Sequence, residues 1–105
     1  MRAIATTGPR PMAALPGVPT AASTIPGFEV VNWYGMSVRA GTPAPIIARL
    51  QQEVAASLRH ADVADRAASL GLDLVASTPD AFAAFQRAEI QKWGEVIRTA
   101  NIRPD

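Results

Sequence analysis

Cysteine is absent from this 105-residue chain, and histidine occurs once, as His60. Without cysteine the chain can form no disulfide framework, no thiolate nucleophile and no cysteine-ligated zinc site. The neighbours of His60 at helical spacing are serine, alanine and valine, none of which is a usual zinc ligand. No serine lies in a Gly-x-Ser-x-Gly turn. Because an active site needs convergent reactive groups, we expect neither an enzyme nor a bound cofactor or metal.

Charge of one sign and long apolar runs are also lacking. The formal net charge is +1, and the basic residues are scattered from Arg2 to Arg103 and form no basic stripe, so no nucleic-acid partner is expected. No run approaches the roughly 20 apolar residues that span a bilayer. The amino-terminal apolar stretch is broken by Gly8 and Pro9, which predicts a soluble chain without an export signal of its own.

Proline and glycine, in contrast, are concentrated between residues 8 and 27. Proline fixes φ and removes a backbone donor, so this stretch is predicted to be a long irregular connection. Short strands are predicted on either side of it, at Arg2–Thr6 and at the aromatic and β-branched stretch Phe28–Val38, with a third at Leu72–Val75. Together with the helices that follow, these segments predict an α/β fold class.

Helical signals dominate after residue 40. Thr42 followed by Pro43 is a typical start, and the helix is predicted to end near His60. Its apolar stripe is Ile46, Ile47, Leu50, Val54 and Leu58. Asp62 is predicted to cap a second, short helix, with Gly71 as the residue after its end.

A third helix is predicted from Pro79 to Ala100, with Thr78 as its N-cap. Its apolar face is Phe82, Phe85, Trp93, Val96 and Ile97. Two oppositely charged pairs, Glu89 with Lys92 and Glu95 with Arg98, are predicted to lie on its solvent face.

The order of several short motifs resembles the carboxyl-terminal third of the Bug-type solute-binding proteins of tripartite tricarboxylate transporters. The matching segments are Arg2–Thr7, Arg10-Pro11, Leu15–Thr20, Ile25–Val30, Asn32–Met36, Ala40–Leu50, Leu70–Leu72, Ser77–Phe82 and Lys92–Ile97. The chain departs from the family at Ala21–Ser23, where an acidic residue followed by glycine is usual. The family's Pro-Gly-Gly and Gly-Ser-rich binding loops precede the matched region, and neither occurs in this chain.

The resemblance implies the carboxyl-terminal portion of a two-lobed periplasmic-binding-protein fold. Residues 1–38 would be a strand of the second lobe, the proline-rich loop and a strand crossing between lobes. Residues 39–105 would be a helical segment that packs on the first lobe. Such a chain alone is expected to leave a helix face and sheet edges uncovered, so we expect marginal stability or self-association.

The resemblance also implies capture of a small organic carboxylate and its presentation to a membrane permease, in the periplasm. Ligands in open α/β sheets lie beyond the carboxyl ends of strands, which makes Thr6 and Thr7 candidate ligand-binding residues. Trp33 and Tyr34 are candidates on the crossing strand. Aromatic residues of strands are more often part of a core, and neighbouring strand residues face opposite sides, so only one of the two can face a given pocket.

Three interpretations remain at this point. The first is a truncated solute-binding protein with little or no ligand binding on its own. The second is a small interaction or self-associating module without ligand, whose partner is a second copy or a separate first lobe. The third, a small enzyme, is disfavoured by the missing reactive groups.

Overall fold

The computed structural model describes residues 2–103 and is helical. One 3-10 turn, Ala21–Ser23, precedes three α-helices: α1 (Ala44–Ser57), α2 (Ala61–Ser69) and α3 (Pro79–Thr99). The chain divides into two compact units. Unit 1 comprises Met1–Ala40 and Arg59–Leu74, and unit 2 comprises Gly41–Leu58 and Val75–Asp105. α2 therefore belongs to unit 1, and α1 and α3 belong to unit 2.

The three strands predicted from the sequence are wrong for this chain, because the structure contains no β-strand within residues 2–103. Segments 2–6, 28–38 and 72–75 are irregular apart from one isolated parallel bridge between Thr6 and Thr20. A strand is stabilised by cross-strand pairs and not by its own backbone bonds, so a β-prone segment without a long partner forms no ladder. The short-strand part of the α/β prediction fails for that reason.

The start of α1 lies one position later than predicted. Pro43, not Thr42, is the N-cap, and Pro45 lies in the first turn, where backbone N–H groups have no helical acceptor in any case. The helix ends at Ser57, before the predicted His60. His60 is extended, with ψ of 137°, and is the N-cap of α2. Asp62 is therefore a first-turn residue rather than the cap, where its charge suits the helix dipole.

The end of α2 follows the prediction. Gly71 has φ of +69°, and its N–H donates to the carbonyl of Ala68 at 3.0 Å. The Leu72 N–H donates to the carbonyl of Ala67 at 2.9 Å. These are the two bonds of a Schellman motif, in which a left-handed residue closes the helix.

We expect Gly71→Ala to lower the free energy of unfolding by about 1–2 kcal/mol, mainly through left-handed strain, with a smaller addition because the flexible end of Met12 must move. A Cβ at this position would lie 2.9 Å from the Met12 Cε atom. Gly17→Ala is the matched control, because Gly17 has φ of +80° and a Cβ added there would meet no atom within 4 Å. Urea denaturation should show a loss of about 1 kcal/mol for the control. Equal losses for the two variants would mean that the Met12 contact has no energetic effect.

The ends of α3 also agree with the sequence. The Thr78 side-chain oxygen accepts a hydrogen bond from the Ala81 N–H at 3.3 Å, which confirms the predicted cap. Asp80 and Arg98 lie in the first and last turns. The segment before α3 is held on α1 by the Gln51 amide, whose Nε2 donates to the carbonyls of Ala76 and Ser77 at 3.3 and 3.5 Å.

The predicted Glu89–Lys92 pair on α3 forms, but Glu89 does not lie on the solvent face. It is 8% exposed, and its carboxylate Oε2 accepts a hydrogen bond from the Trp93 indole Nε1 at 2.9 Å. The Lys92 ammonium lies 5.3 Å from the centroid of the Trp93 ring. Lys92 and Trp93, three and four positions further along α3, therefore contact the Glu89 carboxylate and provide its ion-pair and hydrogen-bond partners.

Apolar burial is sparse in both units. Ala67 is the single buried hydrophobic residue of the described chain, at 6% exposure. Of the predicted α1 stripe, Ile47, Val54 and the C-cap residue Leu58 are half-buried, whereas Ile46 and Leu50 are exposed. Exposed on α3 are Phe85, Ile90, Val96 and Ile97. The helices thus leave much of their apolar surface in water, which fits the expectation of an uncovered helix face.

Candidate functional site

Thr6 and Thr7 lie where three segments of unit 1 meet. The Thr6 N–H donates to the Pro19 carbonyl at 2.9 Å, and the Ala21 N–H donates to the Thr6 carbonyl at 2.7 Å. On the other side, the Val30 N–H donates to the Thr7 carbonyl at 2.9 Å. The proline-rich loop therefore returns beside the amino-terminal segment, and the Thr6–Thr7 peptide is fixed from both sides.

Thr6 is 7% exposed, and its Oγ1 atom has no hydrogen-bond partner among the described residues. A buried hydroxyl without a partner costs about 1–3 kcal/mol relative to a paired one, so such groups are uncommon in folded proteins. Thr7 is exposed and Gly8 half-buried. Within residues 2–103, neither of these two N–H groups donates a backbone hydrogen bond. Two successive free N–H groups beside a hydroxyl are the donors that an anion such as a carboxylate needs.

Trp33 and Tyr34 follow Val30 on the irregular segment that the Thr7 carbonyl anchors. Trp33 is 37% exposed and Tyr34 is 80% exposed. The Asn32 Nδ2 atom donates to the Tyr34 hydroxyl at 3.2 Å, so the amide restrains the ring. In the sequence, Asn32 is only a polar interruption of an apolar alternation. Its restraint of the Tyr34 ring depends on a side-chain contact with a residue two positions away. The alternation of apolar and polar residues along a strand does not predict such a contact.

The backbone bond between Val30 and Thr7 links the candidate residues Thr6 and Thr7 to the segment that carries Trp33 and Tyr34. Three residues of extended chain span about 10 Å, so Trp33 lies within that distance of the Val30 position bound to Thr7. Two concave surfaces of the described residues lie elsewhere. One is on unit 1 around α2 and the other is on α3 around Lys92 and Val96. The four candidate residues remain a predicted site.

Charge near Thr7 is modest. Arg10 is the nearest cationic side chain along the sequence, and its Nη2 atom lies 3.3 Å from the Asp73 Oδ2 atom. Both side chains are about four-fifths exposed or more, at 79% and 88%, so this ion pair adds little stability. Asp73 partly offsets the charge that Arg10 offers to an anion.

Metal ligands and membrane-spanning features are not found in the part of the chain that the structure describes. Residues 2–103 contain no group of three His, Cys, Asp or Glu residues arranged to hold a metal ion. Over the same residues, no helix combines the length and the apolar character that crossing a bilayer requires.

Comparison with known proteins gives one family. The family model described as "Tripartite tricarboxylate transporter family receptor" matches residues 1–102. The "UPF0065 protein in tcbD-tcbE intergenic region" of Pseudomonas sp. (strain P51) is 33% identical over 85 residues, which are 79% of this chain and 25% of that protein. "Protein BugT" of Bordetella pertussis is 33% identical over 84 residues, 79% of this chain and 26% of its own length.

A third relative is the "UPF0065 protein in clcB-clcD intergenic region" of Pseudomonas knackmussii. It is 30% identical over 99 residues, 92% of this chain and 59% of that protein. The chain therefore spans between a quarter and about three-fifths of the length of these relatives. No solved structure matches the chain significantly.

Proposed function

Because this chain belongs to the tripartite tricarboxylate transporter receptor family, we propose that it supplies the carboxyl-terminal side of an extracytoplasmic solute-binding receptor. The solute is a small organic carboxylate, and the receptor delivers it to the membrane permease of a tripartite transporter. Its compartment is the periplasm. Transport by capture needs no reactive side chain, which suits a chain without the groups of an active site.

The observation that carries this proposal is the family match across residues 1–102. The geometry around Thr7 supports the choice of a carboxylate. The N–H groups of Thr7 and Gly8 and the hydroxyl of the exposed Thr7 are hydrogen-bond donors, and carboxylate oxygens are acceptors only. Trp33 and Tyr34 would add an apolar wall to the solute site, because ligand sites combine a few polar groups with aromatic surface.

We propose that this chain alone binds solute weakly. Two-lobed receptors close a hinge on ligand contacts from both lobes, so donors from one side supply only part of the binding free energy. The open position of Tyr34, 80% exposed, fits a wall that lacks its opposite side.

A graft tests the proposal. The part of protein BugT that precedes its matched 84 residues is joined to this chain, and di- and tricarboxylates are titrated into the graft by calorimetry. We expect at least one acid to bind the graft tenfold or more tighter than this chain alone, about 1.4 kcal/mol. Trp33→Ala in the graft should weaken binding several-fold, whereas Gln91→Ala, on an exposed position of α3, should not.

Two results would contradict the proposal. One is a graft that melts cooperatively but binds none of the acids in the titrated panel. The other is equally tight binding by this chain alone, which would show that its own residues form a complete pocket.

The uncovered apolar surface of the helices favours a second candidate function, an interaction or self-associating module. It requires no solute. The two functions are compatible, because the candidate solute residues and α2 are separate parts of unit 1.

A further inference from the structure

Arg10 lies next to the free N–H groups of Thr7 and Gly8. The chain bends at residues 8–10, and a Cβ atom added to Gly8 would lie 3.9 Å from the Arg10 carbonyl oxygen and 3.9 Å from the Val31 Cγ1 atom. Two residues of chain span at most about 7 Å, so the Arg10 side chain begins within that distance of Gly8. A solute held by these N–H groups is therefore within reach of the Arg10 guanidinium.

The present partner of Arg10 is a carboxylate of the same chain. The Arg10 Nη2 atom lies 3.3 Å from the Asp73 Oδ2 atom. That distance is longer than the roughly 2.7–2.9 Å of a strong charge-assisted hydrogen bond. Because the side chains are 79% and 88% exposed, water screens the pair and its contribution is small. Asp73 shows that a carboxylate can approach this guanidinium, and it binds too weakly to exclude another one.

The guanidinium also has donors to spare. It carries five N–H groups in a planar fork, and such a fork binds a carboxylate through two parallel hydrogen bonds. Among the described residues, the Arg10 side chain makes the single hydrogen bond to Asp73. An incoming carboxylate can therefore gain two bonds where Asp73 gains one.

The donors around Gly8 are thus of two kinds. The Thr7 and Gly8 N–H groups are neutral and fixed by the backbone, whereas Arg10 supplies a charge on a flexible side chain. A solute with one carboxylate can use only one of these two points. The formal net charge of the chain is only +1, so a preference for doubly charged solutes requires a local cation rather than the field of the whole molecule.

We propose that Arg10 selects solutes that carry two carboxylates. One carboxylate binds at the Thr7 and Gly8 N–H groups, and the second takes the guanidinium from Asp73. Asp73 is then an internal competitor, which lowers the affinity for every dicarboxylate. This inference rests on the proposed function and adds to it a second recognition point and the residue that provides it.

Two solutes of equal length test the selection. Succinate and its monomethyl ester are each titrated into the whole chain, and ¹H–¹⁵N NMR follows the Thr7 and Gly8 amides and the Arg10 Nε–H group. Succinate should bind about fivefold tighter than the ester, as expected for one exposed ion pair. Succinate should also shift the Arg10 Nε–H signal, whereas the ester should shift the two amides alone.

Substitutions of Arg10 identify the source of this preference. Arg10→Gln should reduce the fivefold ratio to less than about twofold, because the second carboxylate loses its ion pair. Arg10→Lys keeps the charge without the fork and should give an intermediate ratio. Arg87→Gln removes the same charge from an exposed position of α3 and should leave the ratio unchanged.

Asp73→Asn tests the competitor in the opposite direction. It should tighten succinate binding about twofold or more, because the guanidinium no longer has a carboxylate partner within the chain. A variant that binds more tightly is necessarily folded, so this result does not depend on how Arg10→Gln affects stability.

The outcomes separate this inference from the proposed function. If neither solute shifts the amides of residues 6–8, the proposed function fails and the role of Arg10 fails with it. If both solutes bind there, three results would overturn the role of Arg10 alone. They are equal affinities for succinate and the ester, a preference that survives Arg10→Gln, and an equal loss from Arg87→Gln.

Discussion

Ala67→Asp is expected to lower the free energy of unfolding by about 3 kcal/mol or more. Ala67 is 6% exposed, and its carbonyl accepts hydrogen bonds from the N–H groups of Leu70 and Leu72 at 3.0 and 2.9 Å. A carboxylate placed there loses its hydration and gains no partner. Since stability in a chain with so little burial is expected to be small, the variant should lose its cooperative transition.

Ala68→Asp is the matched control, because the neighbouring position on α2 is exposed. Both variants carry the same lower helix propensity and the same unfavourable charge in the last turn, each below about 1 kcal/mol. In urea denaturation followed by circular dichroism, Ala68→Asp should keep the cooperative transition that Ala67→Asp loses, and this contrast isolates the cost of burial. Equal midpoints would mean that the α2 face carrying Ala67 is not buried in solution.

Glu89→Ala is expected to cost about 2–3 kcal/mol, the second large effect. The substitution leaves the Trp93 indole N–H and the Lys92 ammonium without the carboxylate that both contact. Glu89→Gln keeps an acceptor for the indole and should cost about 1 kcal/mol.

Glu95→Ala is the control for Glu89, because it removes an exposed carboxylate from the same helix and should change stability by less than about 0.5 kcal/mol. Chemical denaturation of the three variants gives the comparison. A cost for Glu89→Ala no larger than that for Glu95→Ala would show that α3 does not bury its acidic side chain.

Features determined by neighbouring residues could be predicted from the sequence. Thr78 caps α3, and Gly71 closes α2, because each depends on hydrogen bonds within one helical turn. The α1 boundary was wrong by one residue at its start because Pro43 and Pro45 both fit positions that lack a helical acceptor. Local chemistry thus fixes the helices to within a few residues.

Features that depend on distant segments could not be predicted. Phe28–Val38 has strand composition, but strands need partners, and among the described residues this segment forms no ladder and is joined to the amino-terminal segment by the Val30–Thr7 backbone bond. The pattern also placed Glu89 in solvent, because a charged residue is seldom buried unless it is paired. Its burial follows from Lys92 and Trp93 together, which pattern analysis treats separately.

The candidate solute site is intermediate between these cases. The sequence indicates Thr6 and Thr7 through the end of a predicted segment, and the structure fixes their peptide between the Pro19–Ala21 loop and Val30. The sequence does not predict that Thr6 Oγ1 is buried without a partner, or that Asn32 restrains Tyr34. Both depend on how irregular segments fold back, which has no periodic signature.

We propose that the Thr6–Thr7 peptide and the Trp33–Tyr34 segment form one side of a carboxylate site. Two-dimensional ¹H–¹⁵N NMR of the whole chain, titrated with di- and tricarboxylates, tests it most directly because the method detects weak binding at residue resolution. We predict saturable shifts for the backbone amides of residues 6–8 and the indole of Trp33, with none on α3, including the Trp93 indole. Shifts confined to α3, or no saturable shift at residues 6–8 with any acid, would contradict the claim.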